Sequence, residues 1–177
     1  NILLIANLNS DHVYSIDKTF TSGHRHLYQD QGKRLGGGAA NTGVGLALAG
    51  HQVDLLTAVG DDELGHWLIS PVSQLGVHCP KIFFHQAATP EVILMLDPSG
   101  ERSILKPKRP KAALPPPEDI EQYDLLYINH ANPEARDWAQ AALEKDILVV
   151  CQYKNSHPAQ PCHYLITSET DFTTDAS

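Results

Sequence analysis

Two groups of residues in this sequence have the types and spacing to do chemistry. One is a glycine run closed by an asparagine, Gly36-Gly37-Gly38-Ala39-Ala40-Asn41; the other is the polar stretch Asn7-Leu8-Asn9-Ser10-Asp11. A glycine run at the start of a helix presents free backbone amides and lets another molecule approach the main chain closely. The same run also fits a tight turn ahead of a closely packed helix. Two phosphate-binding motifs are excluded. A P-loop requires Gly-Lys-Ser/Thr, which does not occur. A dinucleotide fingerprint directly follows the first strand, but here that strand leads into Asn9 and Asp11. Its third glycine is also missing, since Asn41 follows Gly36-x-Gly38 and Leu48 follows Gly43-x-Gly45.

These residues need elements to position them. Ile2-Leu3-Leu4-Ile5-Ala6 is a continuous apolar run, the pattern of a strand buried on both faces in a parallel sheet. The Asn7–Asp11 stretch then lies at its carboxyl end, where open α/β sheets bind ligands. From Val13 to Arg34 short alternating pieces predict exposed strands. Asn41 to Ala49 predicts a helix of very small residues closed by Gly50. Its glycines lower helicity by up to about 1 kcal/mol each, to be offset by close approach to the sheet.

Gln52–Val59 predicts the next strand, and Asp61 or Asp62 caps a helix carrying Leu64, Trp67, Leu68 and Leu75. Pro71 inside that helix predicts a kink or break. Ile82-Phe83-Phe84 and Val92–Leu96 predict strands, the latter turning at Asp97-Pro98-Ser99-Gly100 into Arg102–Leu105 as a hairpin. From Tyr123 the pattern alternates again: a strand over 124–129, a helix over 133–145, and strands over 147–151 and 164–167. Alternating β and α elements predict a parallel sheet with right-handed crossovers.

The spacing of Gly36-Gly37, Asn41, Gly50, Gly60, Asp61-Asp62 and Gly65 resembles the first signature of the ribokinase (PfkB) family of carbohydrate kinases. Ala6-Asn7-Leu8-Asn9-Ser10-Asp11-His12 is similar to the opening strand of that family and its sugar-binding Asn-x-Asp. The resemblance runs to about residue 171. It implies an α/β fold, a ribokinase-like three-layer sandwich with a mainly parallel central sheet, plus a small β-sheet lid built from about 12–35 and 82–108. It implies that Asn9, Asp11 and Asn41 contact sugar hydroxyls through their side chains and Gly37 through its backbone. A carboxylate accepts two hydroxyl protons and an amide both donates and accepts, which suits vicinal diols. Asp11 can instead be a cap or turn residue, and Asn41 an N-cap. Thr89 and Val92-Ile93-Leu94 resemble the lid wall; His130 and Asn132 lie at a strand end but match no family acid.

The implied activity is ATP-dependent transfer of the γ-phosphate to a sugar hydroxymethyl group, with Mg²⁺. Ribose and fructose are the implied kinds of substrate, with nucleoside kinase or a non-catalytic sugar-binding protein as the alternatives. The motif D-T-x-G-A-G-D, which carries the family's catalytic Asp, does not occur in the 177 residues. The expectation is therefore a substrate-binding portion whose ATP site and catalytic residues are not in this chain. Thr167–Asp171 lies where the family carries Asn-x-x-Glu, with Ser168 and Asp171 in place of the Asn and Glu. A sheet cut at this point should expose an apolar edge.

The net charge of −8 and the lack of any basic cluster beyond Lys106, Lys108, Arg109 and Lys111 argue against nucleic acid as the partner. No apolar run reaches membrane-spanning length. Three cysteines without CxxC spacing fit reduced thiols in a cytoplasmic protein. The ten histidines show no recognised zinc-ligand set, although His24 and His26 have the spacing of one strand face. Homodimerisation through the lid is a further implication of the resemblance.

Overall fold

The computed structural model describes residues 1–108, 113–152 and 160–167. A six-stranded parallel sheet forms its centre, in the order β10-β9-β8-β1-β4-β5. Its strands are β1 (Ile2–Ala6), β4 (Val53–Gly60), β5 (Val77–His85), β8 (Leu125–Asn129), β9 (Leu148–Gln152) and β10 (Tyr164–Ile166). The continuous apolar run at the start of the chain is the reason β1 lies inside: its side chains alternate between two cores. Leu3 and Ile5 pack on one face with Trp138, Ala139 and Ala142 of α3 (Ala135–Leu143). Ile2, Leu4 and Ala6 pack on the other with Leu68 and Val72 of α2 (Glu63–Gln74) and with Val44 and Leu46 of α1 (Val44–Leu48). Helices on both faces of a parallel sheet make the expected three-layer sandwich.

A separate four-stranded sheet has the order β3-β2-β6-β7, with β2 (Asn9–Ile16), β3 (Tyr28–Gly36), β6 (Glu91–Leu96) and β7 (Arg102–Leu105). It is mixed: β2 runs parallel to β6 and antiparallel to β3, and β6 and β7 form the predicted hairpin. Asp97 fastens that turn by accepting from the Ser99 amide at 2.9 Å and the Glu101 amide at 3.2 Å. The small sheet grows from the carboxyl end of β1, since only Asn7 and Leu8 separate β1 from β2.

Three elements differ from the sequence reading. Residues 82–85 pair with β4 in the large sheet, so the small sheet's second stretch begins at Glu91 and not at 82. Pro80 lies inside β5, an edge strand, beside a register shift against β4, the setting in which a strand tolerates proline. Helix α2 continues through Pro71 to Gln74 without a break. The carbonyl that Pro71 cannot bond belongs to Trp67, which is 45% exposed and so lies where solvent is available. His24 and His26 lie in a loop and not on a strand, with the His26 ring stacked on Phe20.

The edge strand β10 carries Tyr164, Leu165 and Ile166, all exposed. Arg109, Lys111 and Ser168–Asp171 lie outside the described residues. Among the described residues no helix is long and apolar enough to cross a membrane.

The small-residue helix confirms close packing at one glycine and not at another. A Cβ on Gly43 would meet Leu4 Cδ2 at 2.9 Å, whereas one on Gly45 would meet nothing. Gly45→Ala should therefore stabilise the fold by roughly 0.5–1 kcal/mol through helix propensity. Gly43→Ala should lose that gain to overpacking, which costs about 1–3 kcal/mol. Thermal melts of the two variants check the opposite signs.

Candidate functional site

The polar residues singled out by the sequence gather at the carboxyl edge of the large sheet, where β1 passes into β2 and β3 passes into the first helix. Asn9 is the first residue of β2 and pairs in register with Gly36, the last of β3. It is 4% exposed, and its amide nitrogen donates to Asp11 Oδ1 at 2.7 Å. Asn9 thus stands behind Asp11 and orients its carboxylate, while Asp11 itself is only half-buried. Asp11 lies in mid-strand and neither caps a helix nor makes a turn.

The glycine run is shaped around these side chains. A Cβ on Gly36 would overlap the Asp11 carboxylate. Gly37 has φ +83°, and a Cβ there would strike the Asn7 carbonyl and come within 2.8 Å of Asn9 Oδ1. A Cβ on Gly38 would lie 2.7 Å from Asn129 Nδ2. The three glycines hold the main chain against Asn7, Asn9, Asp11 and Asn129, a closeness no other residue type permits. The Ala39 amide donates to the Asn7 carbonyl at 3.0 Å and ties the turn to the end of β1.

The helix after the turn opens wide. Gly38 is its N-cap, and the Val44 amide bonds back to the Ala39 carbonyl, an i→i+5 turn spanning Ala39–Gly43. Such π-turns are rare and concentrate at functional sites. Asn41 lies inside this turn, so it is not an N-cap; its side chain is exposed.

One further residue comes into view only in three dimensions. Asn129 ends β8, in register with Ala6 of β1, and so stands at the same sheet edge. Its signal in the sequence is an apolar strand run closing on an amide, as Ala6 closes on Asn7. Thr89, expected in the lid wall, is 6% exposed and lies in a hydrogen-bonded knot with Asp62 and Gly60. Its hydroxyl donates to Asp62 Oδ1 at 2.6 Å and its amide to Asp62 Oδ2 at 2.7 Å, while the Gly60 amide donates to its Oγ1 at 2.9 Å. Asp62 also caps α2 through the Gly65 amide at 2.7 Å. Burial would raise the Asp62 pKa, but the hydrogen bonds from Thr89 and Gly65 outweigh it and hold the carboxyl below its ordinary value. Asp61-Asp62 and Gly65 therefore fasten β4 and α2 to the segment entering β6. Asn132 accepts from the Glu134 amide at 2.9 Å in the turn leading to α3.

On the far face of the small sheet His12 contacts Asp30 at 2.9 Å and Lys33 contacts Glu91 at 2.5 Å. Glu91 is lowered in pKa chiefly by the Lys33 hydrogen bond. Among the described residues no group of three or more His, Cys, Asp or Glu is placed to hold a metal ion.

An oriented carboxylate, side-chain amides on β2 and β8, and the main chain of the glycine turn stand together at one sheet edge, a set of donors and acceptors matched in type to hydroxyl groups. Comparisons with known proteins agree with this architecture. Solved structures with the same fold include ribokinase from Cryptococcus neoformans var. grubii serotype A in complex with ADP, at 23% identity and TM-score 0.70. Its alignment covers 88% of this chain and 53% of that one. Ribokinase from Arabidopsis thaliana, complexed with ribose and ATP, matches at 17% identity and TM-score 0.75, over 96% of this chain and 60% of that one. Ribokinase from Thermotoga maritima matches at 18% identity and TM-score 0.67, over 96% and 60%. The chain thus spans between about half and three fifths of these proteins' lengths. The sequence model for pfkB family carbohydrate kinases matches residues 2–170. With the signature glycines and the fold in agreement, the chain belongs to the pfkB family of carbohydrate kinases.

Proposed function

We propose that this chain forms the sugar-binding portion of an ATP-dependent sugar kinase that phosphorylates a hydroxymethyl group. The observation that carries the reading is the packing of Gly36 and Gly37 directly against Asp11 and Asn9, which leaves a carboxylate and bare main chain facing one space. In this reading Asp11 accepts hydrogen bonds from vicinal sugar hydroxyls, and Asn9 fixes the carboxylate that does so. Gly37 contributes its backbone, and Asn41 supplies an amide from the wide helical turn. The small sheet, rising from β1 beside the site, acts as the lid.

When bound, ATP with Mg²⁺ supplies the phosphoryl group and its charge compensation. Among the described residues no group of three or more His, Cys, Asp or Glu is placed to hold a metal ion, and the motif D-T-x-G-A-G-D does not occur in the sequence. This chain's part is to bind and orient the sugar. A cytoplasmic location and a homodimer joined through the lid belong to the same proposal; Tyr28, Ile104 and Leu105 are exposed apolar residues on the lid's outer strands.

Isothermal titration with pentoses, hexoses and nucleosides tests the reading. A free sugar is expected to bind saturably, and Asp11→Ala to remove that binding while far-ultraviolet circular dichroism stays unchanged. Heat from nucleosides alone would replace the sugar kinase with a nucleoside kinase. Unchanged sugar affinity in Asp11→Ala would remove Asp11 from the site.

A further inference from the structure

Arg34 stands in register with Asp11; the two are Cα partners across the antiparallel β2–β3 pair. Directly opposed residues of such a pair project from the same face of the sheet. Asn9, two residues before Asp11, shares that face, and so does its own partner Gly36, two residues after Arg34. Arg34 is therefore on the sugar-facing side of the small sheet, one step outward from the glycine turn.

An arginine opposite an aspartate is the usual composition of a cross-strand ion pair. Here the pair is not made. Arg34 is exposed, and none of the ion pairs among the described residues includes it. The Asp11 carboxylate turns inward, to the Asn9 amide and the space above Gly36. Lys33, the next residue along β3, projects from the opposite face, where Glu91 neutralises it at 2.5 Å. The two cations of this strand are thus sorted: the one on the far face is paired, and the one on the site face is not.

We propose that Arg34 is a specificity-determining residue that recognises an anionic substituent on the sugar, so that the preferred substrate class is an acidic or phosphorylated sugar. A guanidinium offers a planar fork of donors matched to carboxylate or phosphate oxygens. Asp11 repels an anion on its own side, which sets the ligand's direction: hydroxyls towards Asp11 and the glycine turn, the anionic group towards Arg34. This rests on the assignment of Asp11 and Asn9 to the sugar site.

Calorimetric titration with fructose, 2-ketogluconate and fructose 6-phosphate tests it, the last two separating carboxylate from phosphate. One of the anionic ligands is expected to bind about tenfold or more tighter than fructose, the scale of a hydrogen bond to a charged group. Added salt should reduce that advantage. Arg34→Gln should bring the ratio to within about twofold of unity. Lys33→Gln, with the same charge change on the opposite face, should keep the ratio. Equal affinity for all three ligands, no binding of any, or an unchanged ratio in Arg34→Gln overturns the proposal. Asp11→Ala separates the two readings. If it removes every ligand while Arg34→Gln keeps the ratio, only the role of Arg34 fails; if it binds them all as before, the sugar site itself fails.

Discussion

Gly36→Ala is expected to abolish saturable sugar binding and to leave the fold close to its original stability. The three atoms nearest the new Cβ all belong to the Asp11 carboxyl group, the flexible end of a side chain. Asp11 can therefore rotate away, at the cost of its bond from Asn9 and of its place in the site. The hydrogen bonds that a carboxylate makes to hydroxyls are worth about 1.5–3 kcal/mol each, so losing two weakens binding by roughly two orders of magnitude or more. Stability should change by less than about 1 kcal/mol, because the lower unfolded-state entropy of alanine offsets the displacement.

Gly37→Ala makes the informative contrast. Its φ of +83° disfavours any side chain, and the Cβ would strike the Asn7 carbonyl, which is main chain and already holds the Ala39 amide. That variant should lose binding and also about 2–4 kcal/mol of stability, from left-handed strain and the broken turn. Titration calorimetry beside thermal denaturation distinguishes the pair; full sugar affinity in Gly36→Ala would sink the placement of Asp11 at the site.

Asp62→Ala is expected to carry a stability loss of similar size. The carboxylate holds the Gly65 amide, the Thr89 hydroxyl and the Thr89 amide. Removing an N-cap costs about 0.5–2 kcal/mol. Leaving the buried Thr89 donors unsatisfied adds about 1–3 kcal/mol. Together these predict a loss of about 2–4 kcal/mol, a fall in Tm of roughly 5–15 °C for a domain of this size.

The pH dependence follows from the depressed Asp62 pKa. A carboxyl group with a lowered folded-state pKa contributes its full stability above the unfolded value, ordinarily 3.8, and loses it as pH falls through the folded value. The protein should lose stability below about pH 4, and Asp62→Ala should lose less over the same interval. Parallel acid-denaturation curves for the two proteins would falsify this account of the knot.

Local pattern carried much of the architecture. The run Ile2–Ala6 reads as a doubly buried strand because no polar residue interrupts it, and β1 is buried on both faces between α1, α2 and α3. The hairpin at Asp97–Gly100 was legible because its turn residues act within a few positions of one another. Residues 82–85 were not: their strand character is plain, but which sheet a strand joins depends on its pairing with β4, far away in sequence. Pro71 signalled an interruption that the exposed side of α2 absorbs.

The same division runs through the candidate site. Asn9, Asp11, Gly37 and Asn41 enter the proposed site by their match to the family's signature, since residue type alone leaves a tight turn and a cap as equal readings of the same positions. By itself the sequence determined the layered α/β class, the glycine turn at the head of a helix and the polar end of the first strand. Only the tertiary structure decided that Asn9 turns inward to hold Asp11, that Thr89 is buried in the Asp62 knot, and that Asn129 and Arg34 stand beside the site. The reason is physical: hydrophobic period and turn chemistry act between neighbours in the chain. Register and burial arise from contacts between distant segments, and these set which way each polar side chain faces.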